Sequence, residues 1–347
     1  MSIRKKVFWS LLSLLLAGMA IWGVLSQLGE MPLRQLWESV QESNKLVLTA
    51  ACVCGGLFIL LEGAAIRRLL RGIGYAAGVR QGILYSAADI YFSAITPSAT
   101  GGQPASAVFM IRNGIPAGAV TMTLIVNLIL YTVSIVILGL AALITHFRLF
   151  FSFRPLSMIL IAMGFLILTG LTVLFFVLLH SGKRFFDAIG RFYRFLYDHR
   201  LIRLLDARLA RLEKARADYD RCVDLVREQP GALRKAFAFN FLQRTARIAV
   251  PVLVFLAMGG RASQAITVFA IQCFVTIGYN CVPVPGGMGV ADYLMVDGFS
   301  DLMGLEDALH LEVLSRSISF YFCVAVSGVL VLAGYIRQKR RERRQVE

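Results

Sequence analysis

Two arginines inside a long apolar stretch are the residues best suited to chemistry. Asn240, Arg244 and Arg247 recur at i, i+4 and i+7, so they share one face of a helix. A charged side chain near the bilayer centre costs about 2.5–3.5 kcal/mol on insertion scales, so its presence needs a reason. Paired guanidinium groups can bind a phosphate through parallel hydrogen bonds. The alternative is a structural ion pair with Asp89 or Asp292, which a substrate could displace.

Two breaks rich in proline and glycine interrupt apolar segments that lie far apart in the sequence. The first reads Thr96-Pro-Ser-Ala-Thr-Gly-Gly-Gln-Pro104, and the second reads Cys281-Val-Pro-Val-Pro-Gly-Gly-Met-Gly-Val-Ala-Asp292. Proline lacks a backbone donor and glycine permits unusual backbone angles, so neither stretch can continue a helix. In hydrocarbon, a broken backbone is tolerated only where protein buries it or where it lines a polar cavity. Paired breaks of this kind predict a transporter's binding site.

The breaks and the arginine face supply the predicted site residues. Glycines would let backbone amides approach an anion, and arginines would neutralise it. The two aspartates would hold the arginines in the empty state or accept a proton in a coupled cycle. The predicted substrate-binding residues are Arg244, Arg247, Arg316, Asp89, Asp292, Gln103, Asn240, Gly101, Gly102, Gly286, Gly287 and Gly289, and the predicted helix-breaking residues are Pro97, Pro104, Pro283 and Pro285.

Other polar residues in the apolar segments are expected to be mainly structural. Asn127 and Tyr131 share a helix face and are predicted to tie helices together. Glu62 lies close enough to the end of its span to reach the interface. Glu312 precedes Arg316 by one helical turn, so the two can pair.

Composition and charge place the chain in a membrane. Of its 347 residues, 57% are hydrophobic and only 16% are charged, whereas a soluble domain has about 25% charged residues. The net charge of +15 would suggest nucleic acid in a soluble protein. Here the basic residues cluster in loops beside apolar runs, which is typical of cytoplasmic loops that face anionic lipid. Membrane topology therefore explains the charge, and we expect no nucleic acid partner.

The apolar runs predict an all-α polytopic membrane protein with about six transmembrane helices and two oppositely oriented re-entrant helical hairpins in an inverted repeat. Basic span ends place both termini in the cytoplasm. The first run resembles a signal peptide but is long for one, so an uncleaved span is favoured. We expect one domain, 1–347, with repeat one at about 46–145 and repeat two at about 233–336. The predicted spans are 7–25, 46–66, 116–145, 155–179, 233–258 and 310–336, and the hairpins lie within 82–111 and 262–303.

One long polar insert, about 183–230, separates the two repeats and is rich in Arg and Lys. Its apolar residues recur at helical spacing opposite basic ones, a pattern that predicts an amphipathic helix on an anionic membrane surface. A second helix is expected to pack on a partner. An ordinary solvated helical arm explains the same pattern, so that alternative stays open, as does homo-oligomerisation.

Motifs for catalysis or cofactors are absent from the sequence. The six cysteines form no Cys-x-x-Cys pair, and no histidine stands at ligand spacing from them, so we expect neither a metal nor a cofactor. There is no nucleotide-binding Gly-x-x-x-x-Gly-Lys-Ser/Thr loop, no His-Glu-x-x-His and no Gly-x-Ser-x-Gly. The sequence is therefore not expected to encode an enzyme.

From span one to span six the chain resembles the lysylphosphatidylglycerol synthase transmembrane-region family, a flippase-like membrane module. The resemblance implies translocation of lipid between leaflets. The chain has Asp292 where the family commonly has Glu, and Asn127 where it often carries Arg. It also ends without the aminoacyl-transferase domain of the synthases, so we do not expect a synthase. The matching pieces are Ile95-Thr-Pro-Ser-Ala-Thr-Gly-Gly-Gln-Pro104, Arg112-Asn-Gly-Ile, Val284-Pro-Gly-Gly-Met-Gly-Val-Ala-Asp292, Ile66-Arg-Arg-Leu-Leu-Arg-Gly-Ile-Gly, and Arg316 before Phe320 and Tyr321.

These observations predict a lipid flippase or transporter of the bacterial inner membrane. The hairpins would enclose a polar groove for a headgroup, and the arginines favour an anionic phospholipid or a polyprenyl phosphate as substrate. One alternative is a membrane-embedded headgroup transferase that uses Asp89 or Asp292 as a base. The other is a non-transporting partner of an envelope-lipid enzyme that docks through the polar insert.

Overall fold

The computed structural model describes residues 40–96, 100–198, 206, 209–214, 216–217, 220, 228–282, 284 and 287–344. The predicted span 7–25 lies outside the described residues, as do Pro97, Pro283, Pro285 and Gly286. A 3-10 turn covers Ala262–Gln264, and a π-helical segment covers Ser317–Phe322. The α-helices are α1 (Lys45–Gly72), α2 (Val79–Ile95), α3 (Gly102–Arg112), α4 (Ala117–Thr145), α5 (Phe147–Phe150), α6 (Pro155–Asp198), α7 (Pro230–Ala257), α8 (Ala265–Asn280), α9 (Val290–Met303), α10 (Leu305–Arg316) and α11 (Cys323–Arg344).

Within the described residues, six helical segments are long and apolar enough to cross a membrane, and no β-strand occurs there. The chain is thus an all-α, multi-pass membrane protein, as its composition predicts. Five of the six coincide with predicted spans. The sixth, Ala262–Asn280, was expected to be the first helix of the second hairpin, yet its length and composition would let it cross. It therefore stays a prediction that each hairpin enters the membrane and returns on the same side.

Both breaks connect helices that fold back on each other. At the first, Asn113 Nδ2 at the end of α3 donates to Tyr85 Oη in α2 at 2.8 Å, so the two helices run antiparallel. Thr96 closes α2 because its hydroxyl donates to Phe92 O at 2.6 Å and accepts from Gly101 N at 2.8 Å. The Phe92 carbonyl and the Gly101 N–H at the two ends of the break are thus satisfied within the protein, as an apolar surrounding requires.

The second break uses glycines with positive φ. Gly287 has φ +68° and Gly289 has φ +73°, a region that L side chains rarely adopt. Gly289 caps α9, and its backbone N–H donates to Asp292 Oδ2 at 2.8 Å. Helices α8 and α9 then pack antiparallel, since a Cβ on Gly278 would meet Leu294 and one on Gly298 would meet Ile271.

The two halves of the chain interlock. Asn44 N before α1 donates to Ala257 O at the end of α7 at 2.8 Å, and Leu69 near the other end of α1 shares a buried cluster with Ala236. The first helices of the two predicted repeats therefore run antiparallel. In addition, α2 packs against α11 and α8 packs against α4. Each hairpin thus contacts the last span of the other half, as an inverted repeat would require.

The polar insert begins as an extension of a membrane-length helix. Helix α6 continues through Asp198 because no proline occurs between Pro155 and Pro230. Its 44 residues span about 66 Å at 1.5 Å per residue, against about 30 Å for the hydrocarbon core. The expected separate surface helix is therefore the continuation of α6. Residues 209–214 and 216–217 pack back against it, and Arg216 Nη1 lies 3.2 Å from Asp187 Oδ1.

Candidate functional site

A cavity of about 780 Å³ lies between the two breaks. Its size is within the range of small-molecule pockets, roughly 300–1,000 Å³. The first hairpin contributes Asp89 and Gln103 to the wall, and the second contributes Gly287. Helices α1, α4 and α7 and the π-helical segment complete the wall. π-Helical turns are frequent at functional sites, and here the turn places Ser319 and Phe320 at the cavity.

Arg244 is held against aromatic rings on the cavity wall. Its guanidinium carbon lies 3.7 Å from the centroid of Tyr131 and 5.1 Å from that of Phe58, both within the range of cation–π attraction. Its Nη2 donates to Gln243 Oε1 at 3.2 Å. Its Nε is buried and has no hydrogen-bond partner among the described residues, so the guanidinium retains an unused donor.

Arg247 lies one turn further along α7 and also lines the cavity. Its guanidinium carbon is 4.9 Å from the centroid of Phe58, so one ring contacts both arginines. In the part of the chain that the structure describes, no carboxylate lies within 4.0 Å of the Arg247 side chain. Its positive charge is therefore not neutralised by an ion pair with any described carboxylate.

Two carboxyl groups line the wall beside the arginines. Glu62 Oε2 accepts from Gln243 Nε2 at 3.0 Å and from Ser86 Oγ at 3.3 Å, and the residue is only 6% exposed. Asp89 Oδ1 accepts from Ser93 Oγ at 3.2 Å. The bond from Ser86 on α2 to Glu62 on α1 links α1 to the first hairpin, and both carboxyl groups line the cavity.

Side-chain amides tie the central helices together at the cavity. Tyr131 Oη donates to Asn280 Oδ1 at 2.8 Å, which joins α4 to α8. Asn240 Nδ2 donates to Asn127 Oδ1 at 2.9 Å, which joins α4 to α7. Asn127 and Tyr131 therefore connect helices and also line the cavity.

The structure brings together only part of the predicted site. Arg244, Arg247, Asp89, Gln103, Gly287 and Pro104 line the cavity. Among the other described residues, Asn240 is fully buried and is engaged with Asn127, so it lies behind the wall. Gly102 is buried against α2, where an added Cβ would collide with Ser93 and Asp89, and Gly101 packs against Thr96. Their predicted substrate contacts are replaced by packing that closes the hairpin.

The residues at the base of α9 also lie outside the cavity lining. Arg316 Nε is 2.8 Å from Asp292 Oδ1, and the Arg316 side chain is 6% exposed. The predicted acid for the arginine pair on α7 is thus engaged with a different arginine. Gly289 serves as the cap of α9 through Asp292 Oδ2. These three residues brace the second hairpin against α10, because one aspartate bonds both the cap and the last span.

Several lining residues were not predicted as part of the site. Glu62 was expected to be mainly structural, but it lines the cavity together with Asp89 and the arginines. Tyr279 and Asn280 were not singled out, since an isolated polar residue next to a break has many roles. The sequence signal that could have identified Tyr279 and Asn280 is their position, because both directly precede the second break. Among the described residues, no group of three His, Cys, Asp or Glu side chains could hold a metal ion.

Comparisons with known proteins agree with this architecture. The family model described as "Lysylphosphatidylglycerol synthase TM region" matches residues 10–327. A UPF0104 membrane protein from Archaeoglobus fulgidus is 22% identical over 313 residues, which cover 87% of this chain and 91% of that protein. No solved structure matches the chain.

Proposed function

The chain belongs to the lysylphosphatidylglycerol synthase transmembrane-region family, and from that premise we propose that it moves a phosphate-bearing lipid between the leaflets of a membrane. The headgroup would enter the cavity between the two breaks, while the acyl chains stay in the surrounding lipid. The substrate class is an anionic phospholipid or a polyprenyl phosphate, and the membrane is the bacterial inner membrane with both termini in the cytoplasm. The protein would act as a transporter rather than as an enzyme.

The observation that supports this proposal is the pair of arginines on one wall of the cavity. Arg247 has no carboxylate within ion-pair distance among the described residues, and Arg244 lines the wall beside it. A phosphate offers several acceptor oxygens to guanidinium groups, so it can bind two arginines on one wall. The aromatic rings of Phe58 and Tyr131 hold both guanidinium groups in place before the ligand arrives.

The membrane potential would act on such a substrate in a defined direction. An inside-negative potential favours outward movement of an anionic headgroup by about 2.3 kcal/mol per charge per 100 mV. A cationic headgroup would be opposed by the same amount. The positively charged wall and the potential therefore both favour an anionic lipid.

Exchange of labelled lipid in liposomes tests the proposal. Purified protein in phosphatidylcholine vesicles that contain labelled phosphatidylglycerol should accelerate movement of the label between leaflets. Arg247→Gln should abolish most of that acceleration because it removes a cavity-lining charge that has no paired acid among the described residues. Arg234→Gln is the matched control, since Arg234 is an exposed arginine on the same helix and does not line the cavity.

The outcomes separate the competing functions. Formation of a new lipid product without leaflet exchange would identify a headgroup transferase instead. If neither exchange nor product appears, and deletion of residues 183–228 abolishes function in cells, the chain is a partner of another envelope-lipid protein. Equal exchange rates for Arg247→Gln and Arg234→Gln would refute the role of the arginine pair.

A further inference from the structure

A second binding site, for a proton, adjoins the anion site. It consists of the carboxyl groups of Glu62 on α1 and Asp89 on α2, which line the same cavity. Two carboxyl groups that share one poorly solvated site disfavour each other's ionisation, so the pair can hold a proton. Both donors that reach Glu62, Ser86 Oγ and Gln243 Nε2, use Oε2. Oε1 is therefore the oxygen that can carry the proton towards Asp89.

Neighbouring charges connect this proton to the anion site. Arg244 and Arg247 face the pair from α7, Tyr131 faces it from α4, and Tyr279 from α8 lines the same cavity. The final span contributes Cys323 to the wall, while α3 contributes the uncharged Gln103. The pair is therefore surrounded by cationic and neutral groups. Glu62 and Asp89 supply the carboxyl groups among the described residues of the cavity wall.

Charge balance gives the direction of the linkage. When both carboxyl groups are ionised, their charges cancel those of the two arginines. A monoanionic headgroup would then leave one uncompensated negative charge, and one proton on the pair would restore neutrality. Uncompensated charge is costly in a poorly solvated cavity, so bound anion and bound proton stabilise each other.

We infer that Glu62 and Asp89 form a one-proton site that couples proton binding to occupation of the arginine pair by an anionic headgroup. This inference rests on the proposed function, because it assigns a coupling ion to the same cavity. The proton comes from water on the side to which the cavity is open, and it is returned to water on the opposite side when the headgroup leaves. A monoanionic headgroup that crosses with this proton carries no net charge, so the membrane potential acts on the headgroup only when it crosses without the proton. No other bond forms or breaks.

A second carboxyl pair in the chain provides a matched control. Asp292 Oδ1 lies 2.8 Å from Arg316 Nε, and Glu312 precedes that arginine by one turn of α10. Neither acid lines the cavity. Glu312→Gln therefore makes the same chemical change as Glu62→Gln, in a similar pair, away from the anion site.

Binding of dioctanoyl phosphatidylglycerol to the purified protein, measured as a function of pH, tests the linkage. The probe is a phosphodiester that remains monoanionic, so changes in affinity come from the protein. Between about pH 9 and about pH 5, a window that covers ordinary and buried carboxyl groups, the wild type should bind more tightly as pH falls. The expected gain is about 5- to 150-fold, the usual range for coupled sites. Glu62→Gln should bind with an affinity that no longer varies with pH, and Glu312→Gln should behave as the wild type.

An infrared measurement detects the proton itself. The wild type at neutral pH, in nanodiscs that contain phosphatidylglycerol, should show a component of the protonated-carboxyl carbonyl stretch that is lost in Glu62→Gln and retained in Glu312→Gln. Asp89→Asn replaces Glu62→Gln if the latter does not fold. Tight but pH-independent binding in the wild type, or absence of the band, overturns the proton site alone. Absence of lipid binding, or binding that Arg247→Gln leaves unchanged, overturns the proposed function and the linkage with it.

Discussion

Substitution of Gly63 by alanine should separate the two helices that carry the acidic pair. Gly63 on α1 faces Gly82 on α2, and a Cβ added to Gly63 would lie 2.8 Å from the carbonyl carbon and oxygen of Gly82. Ordinary contacts of a Cβ begin at 3.4 Å, so α2 would have to move by about 0.6 Å, the difference between these distances. Backbone atoms cannot rotate away as a side chain can. The strain must therefore move the helix.

The expected cost follows from overpacking. Extra methyl groups in a well-packed interior destabilise proteins by about 1–3 kcal/mol. Displacement of α2 would also weaken the hydrogen bonds from Ser86 Oγ to Ile59 O, now 2.9 Å, and to Glu62 Oε2, now 3.3 Å. We therefore expect Gly63→Ala both to unfold at a lower denaturant concentration and to lose lipid exchange.

Gly56→Ala on the same helix is the matched control, because a Cβ there would meet nothing within 4 Å. Alanine in place of glycine stabilises a helix interior by up to about 1 kcal/mol, and both variants receive this gain. The difference in unfolding free energy between the two variants in one detergent thus isolates the contact between α1 and α2. A Gly63→Ala protein as stable and as active as Gly56→Ala would refute the close packing of the two helices.

Two further predictions concern hydrogen bonds that join separate elements. Tyr131→Phe removes the bond to Asn280 but keeps the ring beneath Arg244, so it should cost about 0.5–1.5 kcal/mol of unfolding free energy, whereas Tyr131→Leu should also weaken lipid binding. Asp297, with a side chain 4% exposed, accepts from Arg154 N at 3.0 Å and lies 3.3 Å from Arg154 Nε. Asp297→Asn should therefore cost about 1–3 kcal/mol, while Arg154→Ala, which truncates a side chain 70% exposed, should cost at most about 1 kcal/mol. Equal losses for the two changes, measured by chemical unfolding, would contradict this assignment.

Local chemistry explains what could be predicted from the sequence. The second helix of the second hairpin ends at Met303, where the predicted hairpin ends, and α4 begins one residue after its predicted start at Pro116. Proline and glycine act on their own backbone, so the two breaks are visible without knowledge of any neighbour. Apolar runs similarly predict membrane-length helices because the bilayer sets their length. Continuation of α6 beyond its span was missed because polarity changes there while helix propensity does not.

Which side chains share a cavity depended on how distant helices pack. The sequence alone identified Arg244 and Arg247 as a pair, since i and i+3 spacing on one helix determines a common face. Glu62 and Asp89 meet because α1 and α2 touch through backbone at Gly63 and Gly82. Arg316, by contrast, pairs with Asp292 at the base of α9, away from the cavity lining. Periodicity gives the face of a helix, but only tertiary packing decides which other helix that face meets, because the contact joins residues that no local rule relates.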